Sequence, residues 1–141
     1  MVFTAHIDGA SKGNPGPAGI GYSIEKDGVM LEEYSEFIGE TTNNTAEYRA
    51  LLAALKRLKE LGGRQVTVFS DSELIVRQIN GLYKVKNQKL EQLHRDAIHS
   101  IREFDSFRIL HVPRSQNSHA DGLANRALKA HLSALKKKTG F

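Results

Sequence analysis

The spacing of apolar residues changes several times along the chain, and each change predicts an element. Val2-Phe3-Thr4-Ala5-His6-Ile7 has the make-up of a strand. The glycines and prolines of Asp8-Gly9-Ala10-Ser11-Lys12-Gly13-Asn14-Pro15-Gly16-Pro17 then predict a loop without regular structure. Ile20, Tyr22 and Ile24 alternate with small or polar neighbours, and Asp27-Gly28 separates them from a second run through Leu31, Tyr34 and Phe37-Ile38. That pattern predicts an antiparallel hairpin. From Asn44 the period lengthens: Tyr48, Leu51, Leu52, Leu55 and Leu58 recur at helical spacing until Gly62-Gly63 supplies a stop. Val66-Thr67-Val68-Phe69 is a short β-favouring run, and Leu74-Ile75 with Ile79 predicts a helix ending at Asn80-Gly81. A further helix carries Leu90, Leu93, Ala97 and Ile101 on one face. Phe107 to Val112 reads as a last strand before Pro113, and a final helix runs from about Asn117 to Lys136-Lys137-Lys138. The order β-β-β-α-β-α-α-β-α predicts an α/β fold, a five-stranded mixed sheet flanked by helices.

Composition narrows this picture. A chain of 141 residues, 40% hydrophobic and 26% charged, matches one domain with one core. The formal charge of +4 suits a polyanionic partner, although many soluble proteins are equally basic. There is no cysteine, so any metal must be held by carboxylates, histidines or carbonyls, and oxygen donors point to Mg²⁺ or Mn²⁺. No apolar run approaches the ~18 residues of a membrane span. The expectation is therefore a cytoplasmic protein with no membrane partner; a monomer is expected as well.

Against that layout, Asp8, Glu47, Asp71 and Asp121 each fall at or near a junction between an element and a loop. In a sheet covered by helices, such junctions can converge at one edge. Each acid also has a structural explanation. Asp8-Gly9 is a turn opener, Glu47 fits the third position of a capping box begun by Asn44, Asp71 can cap a helix, and Asp121 suits a helix N-terminus. Taken as a group, clustered carboxylates suit hydrolysis of a phosphodiester assisted by two divalent ions about 4 Å apart. Composition alone does not separate that reaction from other metal-assisted hydrolyses.

Four segments, in order, carry a resemblance. They are Ile7-Asp8-Gly9-Ala10-Ser11 with Gly13-Asn14-Pro15-Gly16-Pro17, then Thr41-Thr42-Asn43-Asn44-Thr45-Ala46-Glu47, then Ser70-Asp71-Ser72, then Asn117-Ser118-His119-Ala120-Asp121. With these, the chain resembles ribonuclease H of the bacterial type 1 kind from Phe3 to about Leu128. The resemblance implies the ribonuclease H fold, with residues 1–130 as the catalytic domain and 131–141 as a basic C-terminal tail. It also implies hydrolysis of the RNA strand of an RNA–DNA hybrid by two Mg²⁺ ions, leaving 5′-phosphate and 3′-hydroxyl ends, with Mn²⁺ as a substitute. The metal-binding catalytic acids it implies are Asp8, Glu47, Asp71 and Asp121. Among substrate-binding residues, it places Asn14, Asn43 and Asn44 on the RNA strand, Thr42 with Asn87 on a DNA phosphate, and Ser72 beside the third acid. Amides suit this task, because 2′-hydroxyls both donate and accept hydrogen bonds. Helix capping by Asn43, Asn44 or Asn87 is the structural alternative, and for Asn14 a place in a turn.

The chain also departs from the family's pattern. Only Leu82-Tyr83-Lys84-Val85-Lys86 stands where many relatives carry a basic protrusion, and Glu40 replaces an arginine common two positions before the phosphate-binding threonine. Double-stranded RNA stays open as a second substrate for relatives of this kind. The loop that often bears a histidine is short, leaving Arg114 and His119 as auxiliary candidates, while His6 is assigned a structural role. Lys129, His131 and Lys136 to Lys138 form a basic stretch suited either to phosphate contacts or to a solvated helix end. Two alternatives remain: a different nuclease of the same fold, and a hybrid-binding module without catalysis.

Overall fold

A computed structural model describes residues 1–138 and gives one five-stranded sheet with helices on both faces. The strands are β1 (Val2–Ser11), β2 (Gly16–Lys26), β3 (Val29–Thr41), β4 (Gln65–Ser70) and β5 (Ser106–His111). The longer helices are α1 (Asn43–Glu60), α2 (Glu73–Ile79), α3 (Gln88–Ile101) and α4 (Ser118–Lys138), and Arg114–Gln116 forms a single 3-10 turn. The sheet order is β3-β2-β1-β4-β5, antiparallel across β1, β2 and β3 and parallel from β1 to β4 to β5. The element order and the mixed sheet match the expectation.

The hairpin turn has positive φ at both Asp27 (50°) and Gly28 (82°), the backbone twist that two-residue hairpins favour. One expectation fails at the glycine-rich segment. β1 continues to Ser11 and β2 begins at Gly16, so the predicted loop of residues 8–17 shrinks to residues 12–15. Its glycines serve close packing as well as turning. A Cβ on Gly9 would lie 2.3 Å from the carbonyl carbon of Ala46, because α1 rests directly on β1 there.

Strand alternation sends Phe3, Ala5, Ile7 and Gly9 to one face, where Ala5, Ile7 and Gly9 pair with Ile24, Tyr22 and Ile20 of β2. Their side chains pack with Tyr48, Leu51, Leu55 and Leu58 of α1 into the main core. The other face carries His6, Asp8 and Ala10 beside Ser23, Gly21 and Gly19, and α4 lies on it through Ala120, Leu123, Ala124 and Leu128. The expected boundary at residue 130 falls inside α4, which runs unbroken to Lys138. Residues 139–141 of the expected tail lie outside the described residues.

Candidate active site

All four acids reach one end of the sheet. Asp8 sits in β1 just beyond Ile7, which pairs with Ser70 at the end of parallel β4, so Asp71 emerges alongside it. Glu47 enters from the second turn of α1, and Asp121 from the first turn of α4. One carboxylate oxygen from each of Asp8, Glu47 and Asp71 lies within 4.8 Å of the others. Asp121 joins them in lining a pocket of about 260 Å³, together with Gly9, Ala10, Asn43 and Arg114.

The local fold fixes each acid differently. The Gly9 N–H donates to Glu47 Oε1 at 3.1 Å, which holds the buried glutamate against β1. Glu47 Oε2 is buried with no hydrogen-bond partner. Asn117 is buried as well, and its Nδ2 donates to the Ile7 carbonyl at 2.8 Å and to Asp71 Oδ2 at 3.4 Å. The Asn125 Nδ2 donates to the Asp121 carbonyl at 2.9 Å and to Oδ1 at 3.3 Å. Arg114 Nη2 lies 3.6 Å from Asp121 Oδ1.

Burial pushes the Asp8 carboxyl well above the usual carboxylate range, and Glu47, Asp71 and Asp121 push it further in the same direction. Burial also raises Glu47, opposed by the hydrogen bond from the Gly9 N–H. Two buried carboxyls that resist ionisation, a third within reach and an orphaned buried oxygen form a donor set short of positive charge. Hard divalent cations bound through oxygen fit that set.

The caps differ from the expectation. Thr42, rather than Asn44, caps α1 by accepting the Thr45 N–H at 3.3 Å, and Glu47 belongs to no capping box. Ser72, rather than Asp71, caps α2 by accepting the Ile75 N–H, which leaves the Asp71 carboxylate for the pocket. Asn87 caps α3, with Oδ1 accepting from Lys89 and Leu90. Asn14 Oδ1 accepts from the Asn43 N–H at 3.1 Å, and Asn43 Oδ1 accepts from the Ser11 N–H at 3.3 Å. Asn44 is half-buried in the first turn of α1.

Of the two auxiliary candidates, Arg114 lines the acidic pocket. His119 instead approaches Glu33 at 3.4 Å, in a separate groove shared with His6, while His6 stacks on Phe69. Gly9 and Asn117 were not singled out from the sequence as members of the site. Their only signal was position, inside motifs read for their acids.

The chain matches the reverse transcriptase-like family over residues 6–127. It is 41% identical over 125 residues to ribonuclease HI of Halobacterium salinarum, covering 88% of this chain and 63% of that protein. The crystal structure of ribonuclease H1 from this archaeon superposes with a TM-score of 0.89 at 39% identity, covering 92% of this chain and 99% of the solved one. LC11 ribonuclease H1, solved in complex with an RNA/DNA hybrid, is 43% identical with a TM-score of 0.87 over 92% of this chain and 99% of that one. A bifunctional protein of Mycobacterium tuberculosis is 42% identical over 132 residues, covering 92% of this chain. This chain spans only 36% of that longer protein. Superposition over about nine-tenths of the chain at such identity, on a sheet whose one end gathers the acids its motifs carry, means that the chain belongs to the ribonuclease H family.

Proposed function

We propose that this chain is an endonuclease that hydrolyses the RNA strand of RNA–DNA hybrids with two Mg²⁺ ions, leaving 5′-phosphate and 3′-hydroxyl ends. The observation that carries this reading is the convergence of Asp8, Glu47 and Asp71 within 4.8 Å, in a pocket that Asp121 also lines. Such ions, when bound, supply a nucleophilic water and offset charge on the leaving oxygen. Asp8, Glu47 and Asp71 are the residues that would hold them, and Asp121 completes the set from the α4 side. Asn117 orients Asp71 by donating to its carboxylate, and the Gly9 N–H keeps one Glu47 oxygen in place. Arg114, at the rim beside Asp121, is the cation placed to meet a phosphate or to position Asp121. Mn²⁺, with the same preference for oxygen ligands, is the expected substitute.

Substrate recognition follows from how the amides are tethered. The oxygens of Asn14 and Asn43 are both engaged by backbone N–H groups, which turns their NH₂ groups into available donors. With Asn44 they are assigned to the 2′-hydroxyls and bases of the RNA strand. Thr42 and Asn87 cap the N-termini of α1 and α3, where partial positive charge favours an anion, and they are assigned to a phosphate of the DNA strand. Ser72, next to Asp71, is assigned to the same substrate surface. Residues 1–130 are taken as the catalytic unit, acting as a monomer in the cytoplasm, with double-stranded RNA as the second substrate to test. No helix among the described residues is long and apolar enough to cross a membrane.

The test uses matched end-labelled RNA–DNA hybrid, double-stranded RNA, single-stranded RNA and double-stranded DNA, each with Mg²⁺, Mn²⁺ or chelator. The expected result is metal-dependent cutting of the RNA in the hybrid, with Asp71→Asn reduced to the chelator background while still binding hybrid. Tight hybrid binding without cutting by the unaltered protein would replace the enzyme with a binding module. Four acids facing the substrate argue against that outcome, because a pure binder gains nothing from negative charge beside phosphate.

A further inference from the structure

The acidic pocket does not end at Asp121. The same residue opens a second, larger groove of about 740 Å³ along α4, lined by Gly122, Asn125, Arg126, Lys129, Ala130 and Ser133. These positions recur at three and four residues, so they form one side of the helix. Gly122, Ala130 and Ser133 keep the floor low, while Arg126 and Lys129 stand exposed. Among the described residues neither cation has a carboxylate partner within 4 Å, whereas Arg114 is already paired with Asp121. The groove is therefore electropositive where the pocket it joins is electronegative.

We propose that this side of α4 is a track for the phosphates of the strand being cut, beyond the scissile bond. The inference rests on the nuclease reading of the acidic pocket. Asn43 lines that pocket, while the groove continues from Asp121, so a strand passing Asn43 and the acids continues onto α4. Spacing agrees with this path. Arg126 and Lys129 follow Asp121 by roughly 7.5 and 12 Å along the helix axis. With one phosphate per roughly 3.4 Å of duplex axis, they meet phosphates about two and four nucleotides from the cut. The ligand class is a continuous phosphodiester backbone, recognised by charge and spacing without base readout.

Binding of a fluorescent RNA–DNA hybrid in chelator, followed by anisotropy from low to high salt, tests the track without any turnover. The comparison is between the unaltered protein, Arg126→Gln/Lys129→Gln, and the charge-matched control Lys26→Gln/Arg64→Gln at the opposite end of the sheet. Loss of two phosphate contacts should make the slope of log K against log salt shallower by about 1.8, while the control keeps its slope. In Mg²⁺, the double variant should also show a raised KM on hybrids extending six base pairs past the cut on both sides. That difference should vanish on hybrids truncated to one base pair on the side that α4 serves. Equal slopes for the double variant and the control would overturn the track, whatever the enzyme cuts. Failure of the unaltered protein to cut any hybrid would instead count against the nuclease reading.

Discussion

The two faces of the sheet are built on different principles. On the α1 face, large side chains meet large side chains: Phe3, Ile7, Ile20 and Ile24 pack with Tyr48, Leu51, Leu55 and Leu58, all nearly or fully buried. On the α4 face, across the strands, Asp8 aligns with Gly21 and Ser35, and His6 with Ser23 and Glu33. There the helix is held by backbone proximity. A Cβ at Gly19 would lie 2.3 Å from the Ala124 carbonyl oxygen, one at Gly21 would lie 2.5 Å from the Ala124 nitrogen, and the Ser35 hydroxyl donates to the Leu123 carbonyl. Stability can come from either arrangement. Apart from Gly9, where α1 also meets β1 main chain to main chain, it is the second that sets the distance of a helix from a strand with little slack, and Asp121 rides on that helix.

Gly21 is a place where the α4 face has no room for a Cβ. Gly21→Ala should lift α4 from the sheet and cost about 4 kcal/mol, read as a lowered urea midpoint. Because Asp121 moves with the helix, kcat should fall further than the loss of folded protein explains. Leu55→Ala on the opposite face should cost about 3 kcal/mol through a cavity, yet leave kcat unchanged at temperatures where the variant is folded. If both variants lose activity only in proportion to unfolding, the two faces do not differ in the way described.

A smaller effect of opposite sign is expected at Asp8. Its carboxyl is raised by burial and by the neighbouring acids, so the folded metal-free protein holds a proton there that the unfolded chain releases near pH 4. This contribution to stability is complete below that pH and is lost as pH rises through the folded-state value. Metal-free protein should therefore melt at a lower temperature at pH 8 than at pH 5.5, and Mg²⁺ should recover part of the difference at pH 8. Asp8→Asn should raise metal-free stability at pH 8 by about 1–3 kcal/mol while abolishing cleavage. A variant less stable than the parent in chelator would contradict the electrostatic account of the pocket.

Legibility in the sequence followed the same division. The α1 face is large, apolar and periodic, so α1 and the strands beneath it could be read from Tyr48, Leu51 and Leu55 against Ile20, Tyr22 and Ile24. The α4 face depends on residues that carry almost no periodic signal. Gly21 illustrates the difficulty: in the sequence it is one small neighbour between Ile20 and Tyr22, and in the fold it is where the main chain of α4 meets β2. The start of α1 was misread for a related reason. Thr42, Asn43 and Asn44 are all good caps; Thr42 takes the role, while the Asn43 side chain accepts from the distant Ser11 N–H. The four acids were legible as a set because all lie near element ends. Asn117, which touches both Ile7 and Asp71, was not, since a buried amide spanning two strands looks like any residue before a helix.

The contact at Gly9 has a consequence for how this site tolerates change. With a Cβ excluded by Ala46 and Glu47, the separation of β1 from α1 at this point is the thickness of two touching main chains. The main chains that carry Asp8 and Glu47 are thus held apart by a stop that no rotamer change can adjust, much as a calliper closed on a shim keeps its reading. Substitutions deeper in the α1 core can loosen the packing behind them without altering that gap. A core substitution can therefore change stability while the main chains that carry Asp8 and Glu47 keep their separation.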